Sequence, residues 1–213
     1  MRPRSARPLT RLLAPPAGQA ERPLKPCRSA RTRAFCLTVP SPSVTLSNEM
    51  ASSRLWSGPP ALVQTGAMIR LGTPADLPAA ADVYRRASLS NAGDRDNLMA
   101  HPEYLILRPE GLAEGRTYVA EEDGSVVGFA TWAEAGGTIE LEDLFVDPGW
   151  RRRGIATALV SHIVDVLRAR SVQCLEVTAN PHAQGFYIAA GFIDCGVANT
   201  DFGTAPHKRL AIR

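Results

Sequence analysis

From Met68 onward, the spacing of apolar positions divides the chain into short elements. "MIRLG" is a brief apolar run that predicts a first strand. "TPADLPAAADVYRRA" then reads as a helix: Thr73 is its N-cap, Pro74 fits the first helical position, and Asp76 sits near the positive helix end. "SLSNAGDRDNLMAHPEYLILR" is less regular and predicts a short helix over residues 94–100 between loops. In "TYVAEEDGSVVGFATWAE" two β-rich runs are joined by Glu122, Asp123, Gly124 and Ser125, a hairpin signal. "GGTIELEDLFVDP" adds a third strand, ended by Pro148. "RRRGIATALVSHIVDVLRAR" is helical, with Ile155, Leu159, Val160, Ile163, Val166 and Leu167 on one face at 3.6 spacing. "VQCLEVTA" predicts a buried strand. "NPHAQGFYIAAG" predicts a helix with Asn180 as N-cap, Pro181 at its first position and Gly191 as terminator. "FIDCGVAN" and "APHKRLAIR" are the last two strands. The order β-α-α-β-β-β-α-β-α-β-β specifies an α/β fold of the α+β kind, one mixed sheet with helices on it. Residues 68–213 suffice for one well-packed domain.

Charge separates the rest of the chain from this pattern. Residues 1–67 hold ten Lys and Arg against two acids, Glu21 and Glu49, for a net +8; residues 68–213 carry −5. The basic balance of the whole, +3, therefore belongs to the N-terminal third and is no nucleic-acid signature of residues 68–213. Ten of the seventeen prolines also fall in residues 1–67, with no sustained apolar period, so this extension is read as disordered. Three readings of it stand: an upstream extension of the open frame with Met68 or Met50 as the natural start, an Arg-rich transit segment, or a basic tail for nucleic acid or anionic lipid. The first is preferred, because the compact pattern begins cleanly at Met68. Cys27, Cys36, Cys174 and Cys195 form no metal-ligand spacing and read as thiols of a reducing, cytoplasmic setting; no metal is expected. No apolar run approaches the roughly 20 residues that span a bilayer, so no membrane partner is expected.

The stretch "WRRRGIATALV" concentrates the candidate chemistry. A strand that enters a helix through a glycine-containing turn presents the free N–H groups of the first helical turn, and the helix dipole adds positive potential. Gly154 and Ala156 keep the approach of a phosphate to the backbone open, Thr157 offers a hydroxyl, and Arg151, Arg152 and Arg153 supply charge around a diphosphate. The competing reading is a solvated charge run on an ordinary surface helix. Arginines at a helix start oppose its dipole by about 0.3–1 kcal/mol each, which favours an anion there. The spacing matches neither G-x-G-x-x-G nor G-x-x-x-x-G-K-S/T, so dinucleotide and Walker-type sites lose weight.

At this point the residues resemble a known family. "LEDLFVDPGWRRRGIATALV" is similar to motif A of the GNAT acetyltransferases, with Arg151 to Ala156 fitting its Arg/Gln-x-x-Gly-x-Gly/Ala loop. "NPHAQGFYIAAGF" resembles motif B, Asn-x-x-Ala-x-x-Phe-Tyr-x-x-x-Gly-Phe, in the family's order and at about its distance. The resemblance covers residues 68–213. It implies a GNAT-like acyl-CoA-binding fold and transfer of an acetyl group from acetyl-CoA to a primary amine of a small molecule or protein by direct attack. It also implies that backbone N–H groups from about Arg152 through Ile155 to Thr157 hold the diphosphate. The strand edge over residues 140–146, with Leu144, Phe145 and Val146, would take the pantetheine arm and place the thioester. Asn180 would contact the arm, and Tyr187 would contact the cofactor and donate a proton to the departing thiolate. The final strands often form dimer contacts in this family, which leaves a homodimer open.

A protonated amine needs a base or a water chain before it can attack. A phenol suits a thiolate leaving group, since their reference pKa values lie within about two units. Backbone N–H near Val146 could assist the oxyanion. Some family members place a glutamate base at the position matching Glu140, others at that of Glu142, and others use water; both residues stay candidates. Strict alternation puts Glu140 and Glu142 on one face with Leu144 and Val146, and Asp143 on the other with Leu141 and Phe145. By the same resemblance the segment "SLSNAGDRDNLMAHPEYL" should shape the acceptor side, where Ser90, Asn91, Asp94, Arg95 and Asp96 could meet a small polar amine; an exposed loop is the competing reading. No histidine is assigned; His162 reads as a packing residue. A domain of the same fold that binds acyl-CoA without turnover is the alternative function.

Overall fold

The computed structural model describes residues 66–200 and 203–213. The expectations about residues 1–65, including the order of the tail and its thiols Cys27 and Cys36, lie outside the described residues. One seven-stranded sheet holds β1 (Met68–Leu71), β2 (Thr117–Glu122), β3 (Ser125–Ala135), β4 (Thr138–Val146), β5 (Cys174–Thr178), β6 (Ile193–Thr200) and β7 (Gly203–Ala211). Their order is β1-β2-β3-β4-β5-β7-β6. Every neighbouring pair is antiparallel except β4–β5, which is parallel. That parallel pair is joined by α4 (Ile155–Ala169), so a helix N-terminus follows directly on the C-terminal end of β4. Such a crossover is where α/β sheets place ligands.

The remaining helices are α1 (Leu77–Leu89), α2 (Ala92–Ala100), α3 (Glu110–Ala113) and α5 (Gln184–Ala189). The sheet is packed on both faces. On one, Ile155, Leu159, Ile163 and Leu167 of α4 meet Leu141, Leu144, Leu175 and Val177. On the other, Val83 and Tyr84 of α1 meet Val119, Phe129 and Phe145, with the Tyr84 and Phe145 rings edge to face at 4.7 Å. His162 lies against Tyr118 with ring centroids 4.6 Å apart, the packing role expected of it.

Most predicted elements are present, with local shifts. Asp123 (φ 49°) and Gly124 (φ 73°) form the two-residue turn between β2 and β3. Val164, not Val166, completes the buried stripe of α4: residues 155, 159, 160, 163, 164 and 167 follow the helical period and Val166 falls beside it, half-buried. Thr73 caps a 3-10 turn, Pro74–Asp76, that leads into α1. Asp76 there accepts from the Thr73 N–H (2.8 Å) and pairs with Arg70 at 2.8 Å. Helix α2 begins at Ala92, because Asn91 caps it by accepting from Gly93 N–H at 3.2 Å. Helix α3 has four residues, too few to show a period. The last two strands are both present, with β7 beside β5 and β6 outermost.

Candidate functional site

The site is built on how β4 pairs. Its whole length is laddered to β3, but its parallel ladder to β5 has a single register pair, Glu140 with Glu176. After that pair the two strands run toward their C-terminal ends without a ladder between them. Toward Val146 this edge of β4 is therefore not laddered to β5.

A bulge corrects the strict alternation expected for β4. Thr131 of β3 faces Asp143, while the next residue, Trp132, faces Leu141, so Glu142 is an extra residue in the ladder. Leu141 thereby joins Leu144 and Val146 in the core beneath α4, and Phe145 packs under α1. Glu140 pairs with Ala133 and Asp143 with Thr131 on the α1 side of the sheet. Glu140 and Glu142 consequently do not share a face with Leu144 and Val146, as uninterrupted alternation would require.

At the end of β4 the chain turns tightly into α4. Arg152 (φ 62°) and Gly154 (φ 79°) both take left-handed backbone, costly for a residue with a Cβ and easy for glycine. Gly154 is the N-cap, and no side chain caps the helix. The first backbone bond of α4 is Ala158 N–H to the Gly154 carbonyl, at 2.9 Å. The N–H groups of Ile155, Ala156 and Thr157 precede it and have no intrahelical acceptor. They are three of the N–H groups to which the sequence reading assigned an anion.

The arginines correct that reading in one respect. They lie before α4, not in its first turn, and each takes a different direction. Arg151 turns back on α1, donating to Ser90 Oγ (2.6 Å) and the Ala87 carbonyl (3.3 Å). Arg153 stacks over the Trp150 ring at 4.5 Å. Arg152 is exposed.

Across the gap, Asn180 lies two residues past the end of β5. Its Oδ1 accepts from His182 N–H at 2.8 Å, the capping role expected, and its Nδ2 donates to Asp94 of α2 at 3.4 Å. Asn91 also bonds Asp94. Ser90, Asn91 and Asp94 thus tie α1 and α2 to the cradle and to Asn180. None of Ser90, Asn91, Asp94, Arg95 or Asp96 lines the pocket beside Glu142. Tyr187 of α5 is buried in the same core as Leu144 and Val146, edge to face with Phe192 at 5.4 Å. Burial alone pushes its phenol above the ordinary range, so it stays protonated.

The pocket lies on the α1 side of the bulge. It encloses about 300 Å³ between Tyr84, Thr131, Ala133 and the segment after α2. Its charged lining is Arg108, Glu110, Glu114, Arg116, Glu142 and Asp143. Desolvation raises the Glu142 carboxyl above the usual carboxylate range, with Arg116 and then Arg108 partly offsetting it. Arg116 stands 3.8 Å from Glu142, 2.7 Å from Glu114, and donates to the Trp132 carbonyl at 2.6 Å. Gly111 lets α3 close this wall, since a Cβ there would meet Thr117 Oγ1 and Thr131 Cγ2 at 2.6 Å.

Glu140 is 4% exposed and is not among the pocket residues; it neighbours Glu176 instead. Glu176 accepts from Arg209 at 2.6 and 2.9 Å and lies 3.2 Å from His207 Nε2, whose Nδ1 is 3.4 Å from Thr178 Oγ1. Sequence reading did not find this network or the pocket arginines. The charges in "LRPEGLAEGR" were visible, but only the bulge at Glu142 shows which strand they meet.

Residues 71–192, more than half of the chain, match the acetyltransferase (GNAT) family. The chain belongs to that family, and its mixed sheet with helices is the fold of solved members. One of these, a paia N-acetyltransferase from Thermoplasma acidophilum in complex with coenzyme A, is 17% identical, with a TM-score of 0.54 over 68% of this chain and 98% of that one. Among curated relatives, streptothricin acetyltransferase of Streptomyces lavendulae is 37% identical over 107 residues, 47% of this chain and 57% of that protein. L-2,4-Diaminobutyric acid acetyltransferase of Nocardia farcinica (strain IFM 10152) is 32% identical over 105 residues, 48% of this chain and 52% of that protein. The chain thus spans about half the length of the curated relatives it matches. No helix among the described residues is long and apolar enough to cross a membrane.

Proposed function

We propose that the chain moves an acetyl group from acetyl-CoA to a primary amine of a small molecule by direct attack. One observation carries the reading: the unladdered edge of β4 runs from the pocket that holds Glu142 to the uncapped N-terminus of α4. The residues suit the co-substrate. Free N–H groups from Ile155 to Thr157 match its diphosphate, the β4 edge matches the amide-bearing arm, and Asn180, just past the end of β5, stands on the other side of the gap. Acetyl-CoA supplies the thioester at which the amine attacks.

Glu142 is assigned as the base in preference to Glu140. It projects into the pocket, and its raised pKa brings it nearer to neutrality, where a base is most effective. It takes the proton that the acceptor's ammonium must lose before attack. Backbone N–H of the β4 edge near Val146 stabilises the oxyanion. Tyr187 returns a proton to the thiolate sulfur; burial keeps it protonated beforehand and, by raising its pKa, leaves the transfer to be driven by the charge of the departing thiolate. A cavity near 300 Å³ suits a compact acceptor, at the lower end of the range for small-molecule sites.

The test is thiol release from acetyl-CoA across a panel of primary amines. Thiol release with an amine, accompanied by the N-acetyl product, supports the reading; CoA binding with no turnover on any amine would count against it. In the same assay Tyr187→Phe should lower kcat by about 100-fold or more while CoA affinity changes little. Equal turnover by this variant would remove Tyr187 from the mechanism.

A further inference from the structure

The β4–β5 ladder is the register pair Glu140 with Glu176, and beyond it the sheet does not fix the distance between the two banks of the gap. The α1–α2 junction reaches both banks. On the β4 side, Arg86 of α1 donates to Asp147 Oδ2 at 2.7 Å, and Arg151 donates to Ser90 Oγ at 2.6 Å and to the Ala87 carbonyl at 3.3 Å. The Arg151 contacts place a cation at the C-terminal end of α1, where the helix dipole favours it. On the β5 side, Asp94 Oδ2 accepts from Nδ2 of buried Asn180 at 3.4 Å and from Nδ2 of buried Asn91, the residue that caps α2. The first turn of α2 lies close against the chain after Asn180: a Cβ at Gly93 would stand 3.4 Å from His182 Nε2.

Asn180 is thereby held from two sides. Its Oδ1 accepts from His182 N–H at 2.8 Å, a group that can only donate, and its Nδ2 meets the Asp94 oxygen, so the amide has one orientation. We propose that the α1–α2 junction braces the gap and that Asp94 is its positioning residue: through Asn180 it fixes the β5 bank at the distance that Arg86 and Arg151 set from the β4 bank. Asp94 then serves the acyl donor rather than the amine. It acts by pre-organising Asn180, without touching the co-substrate. This rests on the reading of the gap as the CoA site.

Calorimetric titration of CoA onto Asp94→Ala, Asn180→Ser and the double variant tests it. Serine keeps a capping oxygen for His182 N–H but removes the donor to Asp94, so Asn180→Ser separates the brace from the cap. Each single change should weaken CoA binding by about fivefold or more, the worth of one hydrogen bond. The double variant should lose no more than the larger single effect, because Asp94 acts through Asn180. Asp94→Asn, which keeps an oxygen acceptor, should retain most of the affinity. The melting temperature without CoA is the second readout. If Asp94 only stabilises α2, Asp94→Ala lowers that temperature and leaves CoA affinity unchanged, or weakens binding by the same factor with and without Asn180→Ser; either result would overturn the proposal. So would unchanged affinity in Asn180→Ser. An unmodified protein that binds no CoA sinks the donor reading and the brace with it, whereas normal CoA binding by Asp94→Ala sinks the brace alone.

Discussion

Gly154→Val is expected to weaken CoA binding by more than about 100-fold in a calorimetric titration. Two effects combine. Gly154 holds φ at 79°, a conformation that a β-branched residue resists at a cost on the order of 1–3 kcal/mol. The new side chain also stands at the N-cap, over the N–H groups of Ile155, Ala156 and Thr157 that would receive the diphosphate. Gly154→Ala, with the smaller Cβ, should lie between the two. Arg152→Ala should weaken binding only a few-fold, and less so at high salt, because an exposed charge is screened. The arginines are mostly engaged elsewhere: Arg151 on α1 and Arg153 on Trp150. If Arg152→Ala proved the fatal change while Gly154→Val bound normally, the cradle would have been misassigned from backbone to side chains.

Glu142→Gln is expected to lower kcat by about 100-fold or more, the usual range for loss of a positioned base. The pH dependence fixes the sign. Glu142 works as a base only when ionised, and burial raises its pKa above the ordinary carboxylate value. In the unmodified protein kcat/KM should therefore climb with pH through that raised value, and the limb should be absent in Glu142→Gln. Removing Arg116, whose charge holds Glu142 down, should move the limb to higher pH. Glu140→Gln should keep the limb, since Glu140 stands beside Glu176 and outside the pocket. A limb that survives Glu142→Gln and disappears in Glu140→Gln would reverse the assignment.

These two experiments fall where the sequence was most and least informative. The start of α4 could be read directly, because a glycine that takes a left-handed turn ahead of an apolar stripe is a local feature. Helix ends were legible for the same reason: Thr73, Asn180 and Gly191 act within a few residues of themselves. The faces of β4 were not legible. A bulge depends on the partner strand, and nothing in "IELEDLFV" announces that Thr131 and Trp132 will skip over Glu142. The pocket wall was hidden because α3 is four residues long and its charges meet β4 only in the folded chain. The arginine run was legible as charge, but its division between α1, Trp150 and solvent depends on contacts distant in sequence.

The central claim is that CoA occupies the gap where β4 leaves β5 and ends on the first turn of α4. Backbone hydrogen exchange, measured with and without CoA, tests it most directly. The expected result is slowed exchange on binding at residues 142–146 and 154–157, with β6 unchanged. Protection of β6 or of the pocket segment alone, with those two stretches exchanging as before, would contradict it.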